Sequence, residues 1–207
     1  MKKTKQTRPA TRPKMEFSKG NKKLPASTYI LNTGSATDCP SRALGLCQCP
    51  EKCYAIKAEK QYPAVLPYRR RQRAAFSALS AAEIAEQLLT ASARSRAGGM
   101  QRFRFSEAGD FETQRDVDKM ADLCEILTAA GVKCYGYTAH TDLELSRLCA
   151  AASLNVSNDR GQWTAQGANR FKAVEKLDRR RLICAGDCRK CALCFNKRGA
   201  TIQVMMH

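Results

Sequence analysis

The stretch RFRFSEAGDFETQRDVDKMADLCEILTAAGVKCYGYTAH, residues 102–140, changes its apolar period twice. Arg102-Phe103-Arg104-Phe105-Ser106 alternates polar and apolar, the period of a strand. Val117, Met120, Cys124 and Leu127 then recur at helical spacing, and Gly131 stands where a helix can end in a left-handed turn. Val132–Tyr137 returns to strand text. Strand, helix, strand is the βαβ unit, whose crossover brings the two strands together in parallel.

The same alternation extends in both directions. Downstream, Thr141-x-x-Glu144 has capping-box spacing and predicts a helix carried by Leu145, Leu148 and Ala152. Leu154–Ser157 reads as a third strand, a helix is expected over Ala168–Leu177 after Trp163, and Arg181-Leu182-Ile183 as a further strand. Upstream, helical text begins at Tyr68 with Arg69, Arg70, Arg71 and Arg73. Ser80 and Glu83 open a second helix with Ile84, Leu88 and Ala91 on one face, closed by Gly98-Gly99. The expected fold is α/β: a parallel sheet with βα repeats, in the form of an incomplete or distorted TIM-barrel-like architecture.

Residues 1–23 carry nine Lys or Arg against one acid, Glu16, and read as a basic flexible arm. Residues 24–207 are expected to form a single α/β domain. Its first part, residues 24–67, is broken by Pro25, Gly34, Pro40, Gly45, Pro50, Pro63 and Pro67. Such a loop-rich region calls for a staple, and bound metal would supply one.

The chain has 207 residues, 43% of them hydrophobic, enough for a packed core and against wholesale disorder. No apolar run approaches the ~20 residues of a membrane-spanning helix, and no apolar stretch follows the basic N-terminus as in a signal peptide. A cytoplasmic protein without membrane contact is the expectation. In that reducing compartment 11 cysteines point to metal ligation or redox chemistry rather than disulfides.

Eight of them fall into two clusters. Cys184-x3-Cys188-x2-Cys191-x2-Cys194 packs four thiols into eleven residues. A mononuclear zinc site usually separates two Cys-x-x-Cys knuckles by a longer loop, whereas successive two-residue gaps suit the wider face of an iron–sulfur cluster. The cofactor expected is therefore an iron–sulfur cluster, [4Fe–4S], in one or two copies, with zinc as the alternative. The other cluster holds Cys39, Cys47 and Cys53 as candidate ligands, with Cys49 as a fourth; either two clusters or one site shared by both chain ends is open. Cys184-x3-Cys188-x2-Cys191 also has the spacing of radical S-adenosylmethionine enzymes, but Lys190 stands where those carry an aromatic and Cys194 can close the fourth position. Cys124, Cys134 and Cys149 fall on apolar faces and read as small buried hydrophobes.

Thr37-Asp38-Cys39-Pro40-Ser41, Leu44-Gly45-Leu46-Cys47, Lys52-Cys53-Tyr54-Ala55, Lys57-Ala58-Glu59, Tyr62-Pro63 and Tyr68-Arg69 resemble the phage "gene product 88" family. Arg104–Phe111 and Tyr137-Thr138-Ala139-His140 resemble two of its strand ends, so the resemblance spans most of residues 16–195. It implies a protein of phages or mobile elements with a cysteine-bound metal site, and it assigns no activity, so nothing about catalysis carries over from it.

In parallel βα folds functional groups gather at strand C-termini. Here those ends offer Ser106, Glu107 and Asp110, then Thr138, His140 and Asp142, then Ser157, Asn158 and Asp159. Glu107, Asp110 and His140 are the candidate catalytic residues, with helix capping as their bland alternative. Finally, 36 Lys and Arg against 19 Asp and Glu give a net charge of +17, concentrated in residues 2–23, 69–73 and 170–181. That is the footprint of a polyanion binder, and without a readout motif it predicts sequence-nonspecific contact with DNA or RNA. Three readings follow: an iron–sulfur protein that binds nucleic acid through a basic surface, its cluster structural or redox-sensing; an iron–sulfur enzyme, radical or other, with a strand-end pocket; and a zinc-stabilised accessory or interaction protein.

Overall fold

The computed structural model describes residues 13–48, 50–96, 98–157, 167–196 and 199–206. The expectations for residues 1–12 of the basic arm and for Cys49, Asn158, Asp159 and Trp163 lie outside them. Capping decides where two of the core helices begin. Ser80 Oγ accepts from the Glu83 amide while the Glu83 carboxylate accepts from the Ser80 amide, opening Ala81–Ala93; Thr113 and Asp116 do the same for Gln114–Ala129.

The strands are β1 (Ser18–Lys19), β2 (Thr28–Leu31), β3 (Arg102–Phe105), β4 (Lys133–Thr138), β5 (Ser153–Val156), β6 (Asn169–Val174), β7 (Leu182–Ile183) and β8 (Thr201–Met205). They form one sheet in the order β1-β2-β3-β4-β5-β6-β8-β7. Every pairing is parallel except that of β1 with β2. The helices are α1 (Pro40–Ala43), α2 (Tyr54–Gln61), α3 (Val65–Ala78), α4 (Ala81–Ala93), α5 (Gln114–Ala129), α6 (Ser146–Ala151) and α7 (Leu193–Asn196). The βα alternation read from the sequence is present, and the sheet is a row with β1 and β7 at its two edges.

Strand alternation divides the chemistry between two faces. On one, Tyr29, Leu31, Phe103, Phe105, Cys134, Leu154 and Val156 pack against α3–α6 to form the main core. Burying a Phe such as Phe103 or Phe105 there contributes about 2–3 kcal/mol. Phe105 sits so close over β4 that a Cβ at Gly136 would lie 2.1 Å from its ring. The opposite face carries Arg102, Arg104, Tyr135, Tyr137, Ser153 and Asn155.

Two expected helices are corrected. Ala168–Leu177 contains β6 instead: Arg170–Val174 pairs residue by residue with Thr201–Met205, a partner 31 positions away that no local window reveals. Thr141 and Glu144 do not form a capping box; α6 begins at Ser146, and the Glu144 carboxylate accepts from the Ser146 amide at 2.8 Å.

Residues 24–67, expected to be loop-rich, hold β2, α1 and α2, and a buried carboxylate staples the turns between them. Glu59 accepts from the Ala36 amide at 2.7 Å, the Thr37 amide at 2.9 Å, Thr37 Oγ1 at 2.7 Å and Arg69 Nη1 at 2.8 Å. The loop after β3 lies against that after β2 so tightly that a Cβ on Gly109 would stand 2.5 Å from the Gly34 backbone, and Gly109 has φ +71°.

Candidate metal centre

The chain must cross over the sheet between the parallel strands β7 and β8, and residues 184–196 run on the face away from α3–α6. β5 anchors it. Ser153 Oγ donates to the Phe195 carbonyl at 3.1 Å, and Asn155 Nδ2 donates to the Cys194 carbonyl at 2.9 Å. Asn155 is itself held by Asn169 Nδ2 at 3.0 Å. Apolar cover is thin: Ala192, Leu193 and Phe195 meet Tyr135, Tyr137, Phe171 and Ile202. With so little area buried, a crossover needs a further source of order.

Cys184, Cys188, Cys191 and Cys194 line one small cavity together with Tyr135, Leu193 and Phe195. Cys194 is buried and the other three are half-buried, all as free thiols. Burial pushes the Cys194 thiol up to about 11, against the hydrogen bond that its sulfur receives from Tyr137; the three neighbouring thiols push it the same way as burial. Burial likewise raises Cys188, opposed by the charge of Arg104. Among the described residues no three His, Cys, Asp or Glu side chains converge as a single metal ion would require. The four thiols share a cavity rather than a point.

One lining residue and two of its neighbours carry donors without acceptors. Arg102 Nη1, Arg104 Nε and the Tyr135 hydroxyl are buried and have no hydrogen-bond partner. The Arg102 guanidinium lies 4.2 Å over the Phe195 ring and that of Arg104 5.1 Å over Tyr137. Buried orphan donors are costly, about 1–3 kcal/mol each, and a negatively charged group in the cavity would satisfy them. Four thiolates on a metal centre carry such charge. The donor set therefore fits a cysteine-ligated metal group. Arg102, Arg104 and Tyr135 escaped the sequence reading, although the alternation of Arg102–Phe105 already placed two arginines on the face opposite Phe103 and Phe105.

The N-terminal cysteines are arranged differently. Cys39 and Cys53 stand immediately before α1 and α2, each with extended backbone. The Cys39 thiol is pushed up to about 11 by burial and by the charge of Asp110, with a smaller push from Cys47. Cys53 packs with Ala36, Ala55, Ile56 and Ala108. None of the three lines the cavity of the C-terminal four. The chain ends do meet, through Gln48, whose Oε1 accepts from the Ala173 amide of β6 at 2.9 Å. Cys124, Cys134 and Cys149 are buried in the main core.

The strand-end crown turns inward on itself. Asp110 accepts from Ser41 Oγ (2.7 Å), Thr138 Oγ1 (2.6 Å), the Ala139 amide (2.7 Å) and the Phe111 amide (2.9 Å). Those four bonds occupy its carboxylate and make it a clasp between α1 and the ends of β3 and β4. Thr33 and Ser106 hydroxyls bond at 2.9 Å, with Ser106 at φ +53°. Glu107 lies 3.5 Å from Arg104 Nη1, and its carbonyl accepts from the Tyr54 hydroxyl. His140 is buried after β4 with Nδ1 unpartnered. Structure thus brings Asp110 and the β4 end together and keeps Glu107 with Arg104.

A family model described as gene product 88 matches residues 1–179. The chain belongs to the gene product 88 family. The matched span takes in Cys39, Cys47 and Cys53, the Asp110 clasp and β1–β6, and stops short of Cys184, so the C-terminal quartet stands on its own geometry. No curated protein and no solved structure matches this gene product 88 chain. Among the described residues no helix is long and apolar enough to cross a membrane.

Proposed function

We propose that this chain is an iron–sulfur protein in which Cys184, Cys188, Cys191 and Cys194 hold a [4Fe–4S] cluster that pins the β7–β8 crossover to the sheet. The observation that carries this reading is the shared cavity of four thiols lined by Tyr135, whose hydroxyl is unpartnered, with the Arg102 guanidinium over the lining Phe195 and the charge of Arg104 acting on Cys188. The successive two-residue gaps between Cys188, Cys191 and Cys194 suit the face of a cluster better than a mononuclear zinc site. Bound, it would supply a redox-active cross-link. Cys194 lies in the same cavity as the other three, which supports full ligation and hence a structural or redox-sensing role over radical chemistry. Cys39, Cys47 and Cys53 are the residues for a second centre. The strand order, sequential from β1 to β6, with α3–α6 on one face, supports a barrel-like sheet left open.

The net charge of +17 adds a second element: sequence-nonspecific contact with DNA or RNA in the cytoplasm of a bacterial host. Anaerobic purification tests the cluster. The expected result is a brown protein with about four irons and four sulfides per centre. A colourless protein holding only zinc, or no metal, overturns it. A salt series tests the second element: affinity for an oligonucleotide should fall steeply with salt, and no binding at low salt overturns it.

A further inference from the structure

On the helix-bearing face the main core runs out at Val156, and none of its apolar members lies on β6 or β8. Beyond Val156 opens a cavity of about 270 Å³, lined by Gln48, Arg170, Phe171, Lys172, Arg181, Thr201 and Gln203. Register explains the grouping: Arg170 stands beside Val156 on one side and Thr201 on the other, and Lys172 beside Gln203.

The described lining contains three cations and no carboxylate. Asp178 lies 3.9 Å from Arg181 Nε, and its carboxylate is also bonded to the Arg180 amide at 3.0 Å. Both glutamines turn their carbonyl oxygens to the backbone: Gln48 Oε1 accepts from the Ala173 amide and Gln203 Oε1 from the Asp178 amide, each at 2.9 Å. Their side-chain NH2 groups are left as donors. Two guanidinium groups and two amide donors around one concavity, with the amide acceptors turned away, select a multidentate oxyanion. The volume, at the small end for ligand sites, suits a phosphate with its sugar.

We propose that this cavity binds a phosphate group, presented by a nucleic-acid strand lying across β6 and β8. Only the identity of the strand rests on the nucleic-acid reading above; the phosphate site rests on the lining. Arg170 and Arg181 grip the phosphate oxygens, and Gln48 makes the site depend on the Cys47 loop.

The test uses the full chain and two variants of equal charge change, Arg170→Gln/Arg181→Gln in the cavity and Arg94→Gln/Arg96→Gln after α4. Thermal stabilisation by inorganic phosphate reads the site, and anisotropy of a labelled single-stranded oligonucleotide over a salt series reads the strand. The expected result is that the cavity variant loses phosphate stabilisation and binds the oligonucleotide about tenfold more weakly. The slope of log affinity on log salt should fall by roughly one per lost contact, while the α4 variant keeps both readouts. Oligonucleotide binding that is equally weakened in both variants, without phosphate stabilisation of the parent, overturns the cavity site and leaves the nucleic-acid reading standing. Phosphate stabilisation lost only in the cavity variant, with no oligonucleotide binding by the parent, supports the site for free phosphate and overturns the strand.

Discussion

Glu59 and Arg69 form an ion pair of 2.8 Å whose side chains are only 2% and 7% exposed, and around it the N-terminal loops are folded. Arg69 also donates to the Ala55 carbonyl at 2.9 Å, so the pair ties α2, α3 and the turn at Ala36–Thr37 into one unit. Glu59→Gln leaves a buried guanidinium without its counter-charge. The expected loss is about 3–5 kcal/mol in chemical denaturation. Arg69→Met in the Glu59→Gln background should recover part of it, and additive losses would show that the two side chains act independently.

Acid should find the same staple. Burial acts to raise the Glu59 carboxyl, but the amides of Ala36 and Thr37, the Thr37 hydroxyl and Arg69 outweigh it, so its pKa lies below the ordinary glutamate value. The folded state then holds fewer protons than the unfolded chain. The stabilisation is complete above the unfolded pKa of about 4.3 and is lost as pH falls through the folded value. Thermal melts from pH 6 to pH 3 should show a steeper decline for the parent than for Glu59→Gln below about pH 4.5. Parallel curves would remove Glu59 from the acid response.

Cysteine variants should separate ligands from core packing. Cys188→Ser and Cys191→Ser are expected to lower iron and sulfide content by half or more and to destabilise the crossover. Cys124→Ser, deep between α5 and β4, should leave metal content unchanged while costing stability through its hydroxyl. Equal iron in all three proteins would place the metal elsewhere.

Asn155 offers a check that touches no thiol. Asn155→Ala leaves the Cys194 carbonyl and the Asn169 amide without partners, at about 1–3 kcal/mol. Hydrogen exchange over residues 184–196 should quicken more than over α5, and metal retention should fall. Unchanged exchange there would mean that the crossover is held by its own apolar contacts.

How legible all this was depended on sequence distance. The Arg102–Phe105 alternation, the α5 stripe of Val117, Met120, Cys124 and Leu127, and the Ser80–Glu83 capping box are local patterns, and each appears where the sequence placed it. β6 reads as a helix by itself because what makes it a strand is its pairing with the distant β8, and the Thr141–Glu144 spacing has no helix start behind it. Cys184–Cys194 announced its own grouping by spacing alone. Asp110 showed itself as a polar residue at a strand end, yet only its four hydrogen bonds reveal a clasp rather than a free carboxylate.

Periodicity, capping residues and cysteine spacing are properties of neighbours along the chain, so composition and pattern determined an α/β protein with parallel strands and a dense thiol quartet. Which groups face those thiols was a matter of three-dimensional packing. Arg102 meets Phe195, and Arg104 and Tyr135 come near Cys188, only because the crossover folds over β3 and β4, and Gln48 shares a cavity with Arg170 and Gln203 only because the Cys47 loop crosses to β6. Contacts of that kind come from sheet order, which follows the total free energy of packing and pairing and leaves no mark on any single stretch of sequence.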